Sequence, residues 1–302
     1  MKDNRIDLHI HSNISKDAQY PPCRLMELCR QNGLKIISIS DHNSIRGIFA
    51  AKGVIKDLEM DLIIIPAIEL DCHFNGVELH ILGYGIDPKE PWFTDYDNYI
   101  NDEDRRVSEI RAEKIRVLGI HLDPKALEHV SIDGILTGDM IAEVALSDAR
   151  NTDNTLLKPY REGGSRNDNP LINFYWDFLA QGKQAYVEVQ FITAAEAVKR
   201  IKDAGGIAIF AHPGNNIGMD DDLLEGILQL DIDGIEVYSS YHTEEKTRYY
   251  RQKTLDHGLL MTLGSDYHGK TKPAIKLGKF VCPDEEQITQ RFMNRPEIKR
   301  FL

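Results

Sequence analysis

The sequence predicts an α/β protein whose main architecture is a closed or nearly closed barrel of about seven strands. Short β-type runs alternate with helical stretches through residues 1–100 and again through residues 184–302. Alternation of this kind favours a parallel sheet in which helices form the crossovers. In addition, ionisable residues follow the apolar part of most predicted strands, as expected where the carboxyl ends of barrel strands build a site.

The first hundred residues alternate in a regular order. The run "IDLHI" predicts a strand, and "PPCRLMELCRQNG" predicts a helix with proline at its start and Gly33 at its end. The strand "KIISIS", a helix near "SIRGIFAAKGVIKDL" and the strand "DLIIIPA" follow. The next segment, "LDCHFNGVELHILGY", has the pattern of a hairpin that turns at Asn75 and Gly76.

The alternation stops between residues 101 and 183. This stretch is charged and mostly helical in pattern, as in "DEDRRVSEIRAEKIRVLG", and we expect it to form an inserted helical subdomain. The alternation resumes with a helix that begins at a capping box of Thr193 and Glu196. The strands "GIAIFAHPG", "GIEVYSS" and "LLMTLGSDYHG" then complete a barrel domain formed by residues 1–100 and 184–302.

Composition excludes several classes of partner. The net charge is −12, and an acidic surface repels duplex nucleic acid, although cations in a pocket can still attract a small phosphate. The four cysteines form no CxxC pair and are typical of free thiols in a reducing compartment. No apolar leader follows "MKDNR", and runs such as "LIIIPAI" are too short to span a bilayer. We expect a cytoplasmic protein without a membrane partner, and the oligomeric state stays open.

Histidine and carboxylate side chains gather at one predicted rim of the barrel. His9 and His11 are one residue apart, so both side chains lie on one face of a strand. In chain order, the strands contribute His9 and His11, Asp41 and His42, Glu69, His80, His212, His242, and Asp266 with His268. Singly, each has an ordinary structural explanation: a lone histidine is often only hydrogen-bonded, and Asp41 could cap the next helix. Chance placement does not explain seven strands together.

The types of side chain indicate a hydrolytic metal site. Imidazole and carboxylate ligands without thiolate suit Zn, Mn or Fe. More than eight candidates are too many for one ion, so we expect two or three divalent ions bridged by a carboxylate and a hydroxide, an arrangement that supplies a nucleophile near neutral pH. His129 and His257 lack a strand-end position and are interpreted as structural residues.

Seven motifs together resemble those of the PHP (polymerase and histidinol phosphatase) superfamily of metal-dependent phosphoesterases, in particular its TrpH/YciV-like members. In order they are "DLHIHSNIS", "ISISDHNSIRG", "PAIELDC", "VELHILGYG", "GGIAIFAHPG", "GIEVYSSYHT" and "LGSDYHGKTKPAIKLG". The resemblance implies a distorted (β/α)7 barrel with an inserted helical subdomain and a trinuclear metal site. It covers the chain from residue 6 to about residue 278.

The resemblance also implies a role for each site residue. One metal would be held by His9, His11, Glu69 and Asp266. A second would share Glu69 and take His80 and His212, and a third would take Asp17, His42 and His268. Asp41 would orient or assist His42, and His242 would contact the substrate phosphate or the leaving group.

The chain departs from these relatives within the insertion. Where they usually carry an Arg-Pro-His-Ile-Ala-like stretch facing the substrate, this chain reads "TGDMIAEVA", with Gly138 and Met140 at the Arg and His positions. The nearby "KPYREGGSR" could supply replacement phosphate contacts through Lys158, Arg161, Arg166 and the Gly163–Gly164 amides. It could equally be a charged, solvated loop.

The expected function is hydrolysis of small phosphate esters by a metal-bridged hydroxide. Nucleotide phosphomonoesters, cyclic phosphodiesters and the ends of short oligonucleotides are the expected substrates. Two alternatives stay open, an amidohydrolase-type C–N hydrolase and a non-catalytic metal-binding module. Amidohydrolases often place a carbamylated lysine between metals, whereas here Glu69 fills the bridging place and no lysine stands at a strand end.

Overall fold

The computed structural model describes residues 4–302, which divide into two compact units. One unit is formed by the described residues up to Asp97 together with Phe191–Leu302, and the other by Asn98–Gln190. The predicted insertion, residues 101–183, lies within the second unit. In the described part of the chain, no helix combines the length and the apolar character needed to cross a membrane.

The first unit contains the strands and most of the short helices. Its strands are β1 (Ile6–Ile10), β2 (Ile36–Ile39), β3 (Ile63–Ile64), β4 (Ala67–Phe74), β5 (Val77–Tyr84), β6 (Ile192–Thr193), β7 (Ile207–Phe210), β8 (Gly234–Ser239) and β9 (Leu260–Gly264). Its helices are α1 (Pro22–Gln31), α2 (Arg46–Asp57), the start of α3 (Pro91–Val117), α7 (Ala194–Asp203), α8 (Pro213–Asn216), α9 (Asp221–Leu228), α10 (Glu244–Asp256), α11 (Glu285–Met293) and α12 (Pro296–Lys299). The second unit contains the rest of α3, with α4 (Pro124–Val130), α5 (Gly138–Ser147) and α6 (Pro170–Phe174).

The strands form two hydrogen-bonded sheets. Strands β1, β2 and β3 make a parallel sheet, and a six-stranded sheet has the order β6-β4-β5-β7-β8-β9. Residues just beyond the strands connect the two sheets: Ile10 pairs with Tyr267 after β9, and His42 pairs with Glu69 of β4. The two sheets therefore meet at the carboxyl ends of β1 and β2.

The second sheet is mixed, so the expectation of a parallel sheet is wrong for one strand. Strand β5 runs antiparallel to both neighbours, β4 and β7. The predicted hairpin is the reason. Asn75 and Gly76 adopt left-handed φ values of 49° and 80°, which suit a two-residue hairpin turn. Without a crossover helix, consecutive strands have to run antiparallel.

Each unit has its own apolar core. In the first unit, α1 and α2 cover the first sheet, where Leu25, Ile37, Ile39 and Ala51 are buried together. In the second unit, the core is formed by helices α3 to α6 and the turns that follow them, and includes Ile115, Ile141, Leu157, Phe174 and Phe178. The continuous burial of β1 and β8 agrees with strands covered on both faces.

Candidate metal centre

The strand ends bring together a buried group of histidines and carboxylates, which we call the histidine–carboxylate cluster. Its members are His9, His11, Asp17, His42, Glu69, His80, His212, Asp266 and His268. His9 and His11 lie on one face of β1 and its continuation, with ring centroids 5.2 Å apart. The alternation of side chains along a strand therefore places both imidazoles in the cluster.

Glu69 of β4 lies at the middle of the cluster and is completely buried. Its Oε1 atom is 3.0 Å from both His80 Nδ1 and His212 Nε2. Its Oε2 atom faces a different set, at 3.1 Å from His9 Nε2 and 3.2 Å from His11 Nε2. One carboxylate thus presents a separate oxygen to each of two groups of histidines.

Asp266 follows β9 and closes the first of these groups. Its Oδ1 atom is 3.3 Å from His9 Nε2 and 3.0 Å from His11 Nε2. Its Oδ2 atom accepts hydrogen bonds from the Tyr241 hydroxyl at 2.6 Å and from Lys272 Nζ at 2.8 Å. These two donors occupy the outer oxygen and leave the inner one directed at the histidines.

His268 and Asp17 lie on another side of the cluster. His268 is buried and stacks on His11 with ring centroids 4.1 Å apart. Its Nε2 atom is 3.2 Å from Asp17 Oδ2. The donor atoms of His11, His42 and His268 are close enough to surround one ion.

Backbone conformation at two cluster residues is unusual. His212 has φ 22° and Asp266 has φ 55°, values that non-glycine residues seldom adopt. The Asp266 turn is held by its own amide, which donates to the His9 carbonyl at 2.8 Å, and by Asp7, which accepts from the Ser265 amide and hydroxyl. Such strain persists where surrounding contacts fix it, and it is concentrated at functional sites.

The cluster fits divalent cations by a direct structural test. Four sets of donor atoms each lie within 4.8 Å of one another and could supply three or four ligands to an ion: His9, His11, Glu69 and Asp266; Glu69, His80 and His212; His11, His42 and His268; and His42, Asp71 and His80. Five buried atoms of the cluster have no hydrogen-bond partner: His9 Nε2, His11 Nε2, Glu69 Oε2, Asp266 Oδ1 and His268 Nε2. Buried polar atoms without partners are costly, and these lie where a cation would satisfy them.

Electrostatics within the cluster agree with this fit. Burial by itself disfavours charge on Glu69, but the histidines around it, His9 foremost, hold its pKa well below the ordinary range. Burial also opposes charge on His42, yet the carboxylates of Asp71 and Glu69 raise its pKa to about 10. Burial, with His268 and His42 nearby, lowers the pKa of His11 to about 4. The Glu69 carboxylate and the His11 imidazole are therefore in the forms that ligate a cation, whereas His42 would release a proton on binding one.

Glu236 of β8 was not singled out by the sequence, although it supports two cluster residues. Its Oε1 atom is 3.0 Å from His9 Nδ1, and its Oε2 atom accepts from the His212 amide at 2.8 Å. An outer carboxylate on Nδ1 fixes the ring so that His9 Nε2 faces the cluster. A signal was present in the sequence, because Glu236 is the one charged residue in "GIEVYSS".

Asp41 lies behind the cluster and bonds to serines. Its carboxylate accepts from the Ser12 amide and hydroxyl, each at 2.7 Å, and from the Ser15 hydroxyl at 3.0 Å. Ser15 Oγ in turn lies 3.0 Å from His11 Nδ1 and accepts from the His42 amide at 2.9 Å. Asp41 therefore reaches two cluster histidines through Ser15, and it does not cap α2, which begins at Arg46.

His242 has both ring nitrogens engaged by the backbone. Nδ1 lies 2.8 Å from the Val237 carbonyl, so it donates there, and Nε2 accepts from the Gly214 amide at 3.0 Å. Burial lowers the pKa of His242 to about 4. The imidazole is thus held neutral, and its predicted contact with substrate would require one of these bonds to open.

The residues of the insertion that were predicted to contact phosphate lie in the 158–166 segment of the second unit. Arg166 forms two hydrogen bonds to Asp177, both of 2.9 Å. Arg161 donates to the carbonyls of Leu146 and Asn151. The Gly164 amide donates to the Arg161 carbonyl. Lys158 is exposed on the same segment.

Comparisons with known proteins show what the chain is similar to. The PHP domain model matches residues 7–128. A 3',5'-nucleoside bisphosphate phosphatase of Chromobacterium violaceum is 27% identical over 275 residues, covering 87% of both chains. A 5'-3' exoribonuclease of Haemophilus influenzae is 27% identical, covering 87% of this chain and 90% of the relative. A phosphoribosyl 1,2-cyclic phosphate 1,2-diphosphodiesterase of Eggerthella lenta is 24% identical, covering 87% of this chain and 94% of the relative.

Solved structures show the same α/β fold. A Chromobacterium violaceum protein described as an amidohydrolase, with bound sulfate, superposes with a TM-score of 0.74 at 22% identity, covering 95% of this chain and 96% of the other. A predicted metal-dependent phosphoesterase of Bifidobacterium adolescentis superposes with a TM-score of 0.73 at 22% identity, covering 95% of each chain. The chain therefore contains a PHP domain match over residues 7–128 and is similar along most of its length to phosphatases and phosphodiesterases.

Proposed function

We propose that this protein hydrolyses small phosphate esters, using two or three divalent ions held by the histidine–carboxylate cluster. The observation that carries the proposal is the position of Glu69, whose two oxygens face two different groups of histidines at 3.0–3.2 Å. A carboxylate in that position can bridge two ions. Neighbouring ions of this kind are the arrangement used to clamp the oxygens of a phosphoryl group.

The ligand sets follow three of the four groups of donor atoms, with Asp17 in place of His11 in the third. The first ion is held by His9, His11, Glu69 and Asp266, and the second by Glu69, His80 and His212. The third is held by His42 and His268 with Asp17, whose carboxylate is 3.2 Å from His268. Nitrogen and oxygen ligands without sulfur favour Mn, Fe or Zn.

Bound divalent ions would polarise the phosphoryl oxygens and supply hydroxide near neutral pH. The protein's own residues fix the ligands for that task. Glu236 orients His9, while Ser15 connects Asp41 to His11. Tyr241 and Lys272 hold the outer oxygen of Asp266, so its inner oxygen stays directed at the cluster. Pre-organised ligands of this kind need little rearrangement during the reaction.

Small esters are the substrates that the charge of the chain favours. At a net charge of −12, the surface repels a polyanionic duplex, whereas cations in the cluster attract a single phosphate. The relatives act on a nucleoside bisphosphate, a cyclic phosphate and the 5' end of RNA. Nucleotide phosphomonoesters, cyclic phosphodiesters and short oligonucleotide ends are therefore the classes to test, in a protein that we expect to be cytoplasmic.

The finer architecture belongs to the same proposal. We infer a distorted seven-stranded barrel because backbone pairs join Ile10 to Tyr267 and His42 to Glu69 across the two sheets. We also retain residues 101–183 as the inserted subdomain.

The amidohydrolase alternative is weaker, because Glu69 occupies the bridging place in which such enzymes often use a modified lysine. A non-catalytic module is disfavoured because every predicted ligand contacts the cluster.

The test is a substrate panel measured as kcat/KM with added Mn²⁺. The panel contains a nucleoside 3',5'-bisphosphate, a cyclic nucleotide, histidinol phosphate, an aryl phosphate and duplex DNA, with an amide substrate for the alternative. We expect phosphate release from several small esters and none from duplex DNA. The resemblance implies Arg and His where this chain has Gly138 and Met140, so kcat/KM should differ little among the small esters. A bisphosphate preference above about a thousandfold, or about 4 kcal/mol, would contradict this specificity. Amide cleavage without phosphate release would overturn the function.

A further inference from the structure

His212 lies in a strained turn that directly follows β7. Its φ of 22° is outside the range that non-glycine residues ordinarily adopt, and its buried imidazole places Nε2 3.0 Å from Glu69 Oε1. A backbone in such a conformation persists only where the contacts around it fix it. On one side, the His212 amide donates to Glu236 Oε2 at 2.8 Å. The turn needs further contacts on its other side, where the chain continues into α8.

Gly214, two residues later, is held by both of its backbone groups. Its amide donates to His242 Nε2 at 3.0 Å, and its carbonyl accepts from Lys246 Nζ at 2.5 Å. The two side chains come from one short segment, because Thr243 is the N-cap of α10 and its hydroxyl accepts from the Lys246 amide. The start of α10 therefore holds the loop that carries His212.

This arrangement requires glycine at position 214. A Cβ atom there would lie 2.7 Å from His242 Cδ2 and 2.8 Å from Lys246 Cδ, which is closer than packed atoms come. Both side chains thus lie directly against the Gly214 backbone. The loop is fixed by packing as well as by hydrogen bonds.

His242 is itself fixed at its other ring nitrogen. Nδ1 donates to the Val237 carbonyl at 2.8 Å. Val237 lies at an irregularity of β8, where the register of its pairing with β9 shifts. A residue at such a shift is left out of the ladder, so its carbonyl can accept from another donor. The imidazole also stacks on the buried Tyr250, with ring centroids 5.2 Å apart. His242 therefore connects β8 to the loop at Gly214.

We propose that His242 and Lys246 are positioning residues, which hold Gly214 by its amide and its carbonyl and so keep the His212 imidazole directed at Glu69. The inference rests on the proposed function, in which His212 is a ligand of the second ion. In this role His242 needs no contact with substrate, and both of its ring nitrogens stay bonded to the backbone. Removal of an outer partner of a metal ligand commonly weakens metal binding by about 10- to 100-fold.

The experiment compares His242→Asn with His242→Gln in the full chain. Glutamine reaches the position of Nε2 and can still accept from the Gly214 amide, whereas asparagine ends near the position of Nδ1 and keeps only the bond to Val237. In His242→Asn, hydrogen exchange of the Gly214 amide should be about 2- to 10-fold faster, the range for one lost hydrogen bond. The affinity for one Zn²⁺ per chain should fall by about tenfold, and the other affinities should stay unchanged. His242→Gln should resemble the wild type in both measurements.

Lys246→Met tests the second contact and replaces His242→Asn if that variant does not fold. Methionine keeps the stem that packs on Gly214 but cannot donate to its carbonyl. We expect the same Zn²⁺ affinity to fall by about two- to fivefold. Lys199→Met is the matched control, because Lys199 is an exposed lysine that pairs with Asp203 within α7. It should leave amide exchange and all Zn²⁺ affinities unchanged.

Steady-state kinetics on an aryl phosphate with Mn²⁺ distinguish a positioning role from a substrate contact. In His242→Asn, we expect kcat to fall by about tenfold while KM changes by less than about twofold, because the substrate loses no bond. A raised KM with an unchanged kcat would overturn the inference in favour of the substrate contact that the sequence predicts for His242.

The remaining outcomes separate this inference from the proposed function. Zn²⁺ affinities in His242→Asn equal to those of the wild type would overturn the inference, even if phosphate esters are hydrolysed. Equal losses in His242→Asn and His242→Gln would also overturn it, since the Gly214 bond would then not be the cause. One weakened Zn²⁺ in His242→Asn alone, without phosphate release by the wild type, would leave the inference standing and remove the proposed function. A wild-type chain that binds no Zn²⁺ would overturn both.

Discussion

The sequence suggests phosphate or metal contacts both for the histidine–carboxylate cluster and for the 158–166 segment. The side chains of the two regions differ in whether they already have partners within the protein. In the cluster, side chains from six strands and their ends point toward one another, and five of their buried atoms have no hydrogen-bond partner. In the segment, Arg166 is paired with Asp177 and Arg161 with backbone carbonyls. A strand fixes where its side chains point, whereas an arginine on a turn bonds to whatever acceptor lies within reach.

The largest effect should come from Glu69→Gln. The substitution removes a charge shared by two groups of histidines while keeping the size of the side chain. Loss of about 4 kcal/mol of charge stabilisation corresponds to about a thousandfold fall in kcat/KM for the best ester of the panel. His257→Gln is the control, because His257 lies outside the cluster, with its Nε2 atom 3.5 Å from Glu225 Oε2. Similar losses in the two variants would show that the strand-end residues are not the active ones.

The second prediction concerns the insertion, where Gly138 is the first residue of α5. A Cβ atom at Gly138 would lie 2.6 Å from Tyr175 Cδ2 and 3.1 Å from Leu179 Cδ1. Gly138→Ala should therefore lower the free energy of unfolding by about 1–3 kcal/mol, measured by denaturant titration. Gly53→Ala in α2 meets no atom within 4 Å and should be neutral or stabilising. Equal stability of the two variants would remove this packing explanation.

The third prediction distinguishes a substrate-binding role of Lys158 from a stabilising role of Arg166 in the 158–166 segment. Lys158 is exposed and Arg166 is engaged with Asp177. If the segment contacts substrate, Lys158→Ala should raise KM by about two- to fivefold, the range of a single solvated charge pair. Arg166→Ala should act mainly on stability. A KM that is unchanged in Lys158→Ala and raised in Arg166→Ala would reverse this assignment.

The smallest effect is a pH dependence in the second unit. Burial tends to raise the pKa of Asp177, but hydrogen bonds from Tyr160 and Arg166 outweigh it and lower the pKa. A carboxyl whose folded pKa is lowered stabilises the protein above its ordinary value, near pH 4, and this contribution is lost as the pH falls through the folded pKa. The difference in the free energy of unfolding between the wild type and Asp177→Asn should therefore become smaller below about pH 4. A difference that widens in acid would contradict this sign.

The part of the site on strands and just after their ends was predictable, and the supporting residues farther along the loops were not. Alternation along β1 and the position of Glu69 after an apolar run placed their side chains, because strand geometry allows little choice. The same rule could have found Asp71, two residues after Glu69. Tyr241 and Lys272 could not be found this way, since only folding brings the loops after β8 and β9 to Asp266. Likewise, the sequence did not show that Asp177 would bind Arg166.

The fold shows the same division. Alternating strands and helices indicated the α/β class, and Asn75–Gly76 indicated the hairpin that the structure contains. The expectation of a parallel sheet was wrong at β5, because a hairpin makes its second strand run antiparallel to the first and this consequence was not drawn. Pro66 also divides the predicted strand "DLIIIPA", so that β3 ends at Ile64 and β4 begins at Ala67. Proline cannot donate the backbone hydrogen bond that a continuous strand needs.

Metal content tests the central claim most directly. The chain should be purified without chelators and measured by elemental analysis, together with Glu69→Gln and the control His257→Gln. We predict two to three equivalents of Mn, Fe or Zn per chain for the wild type and His257→Gln, and at least one equivalent fewer for Glu69→Gln, because its carboxylate faces both groups of histidines. A single ion per chain that Glu69→Gln leaves in place would contradict a cluster bridged by Glu69.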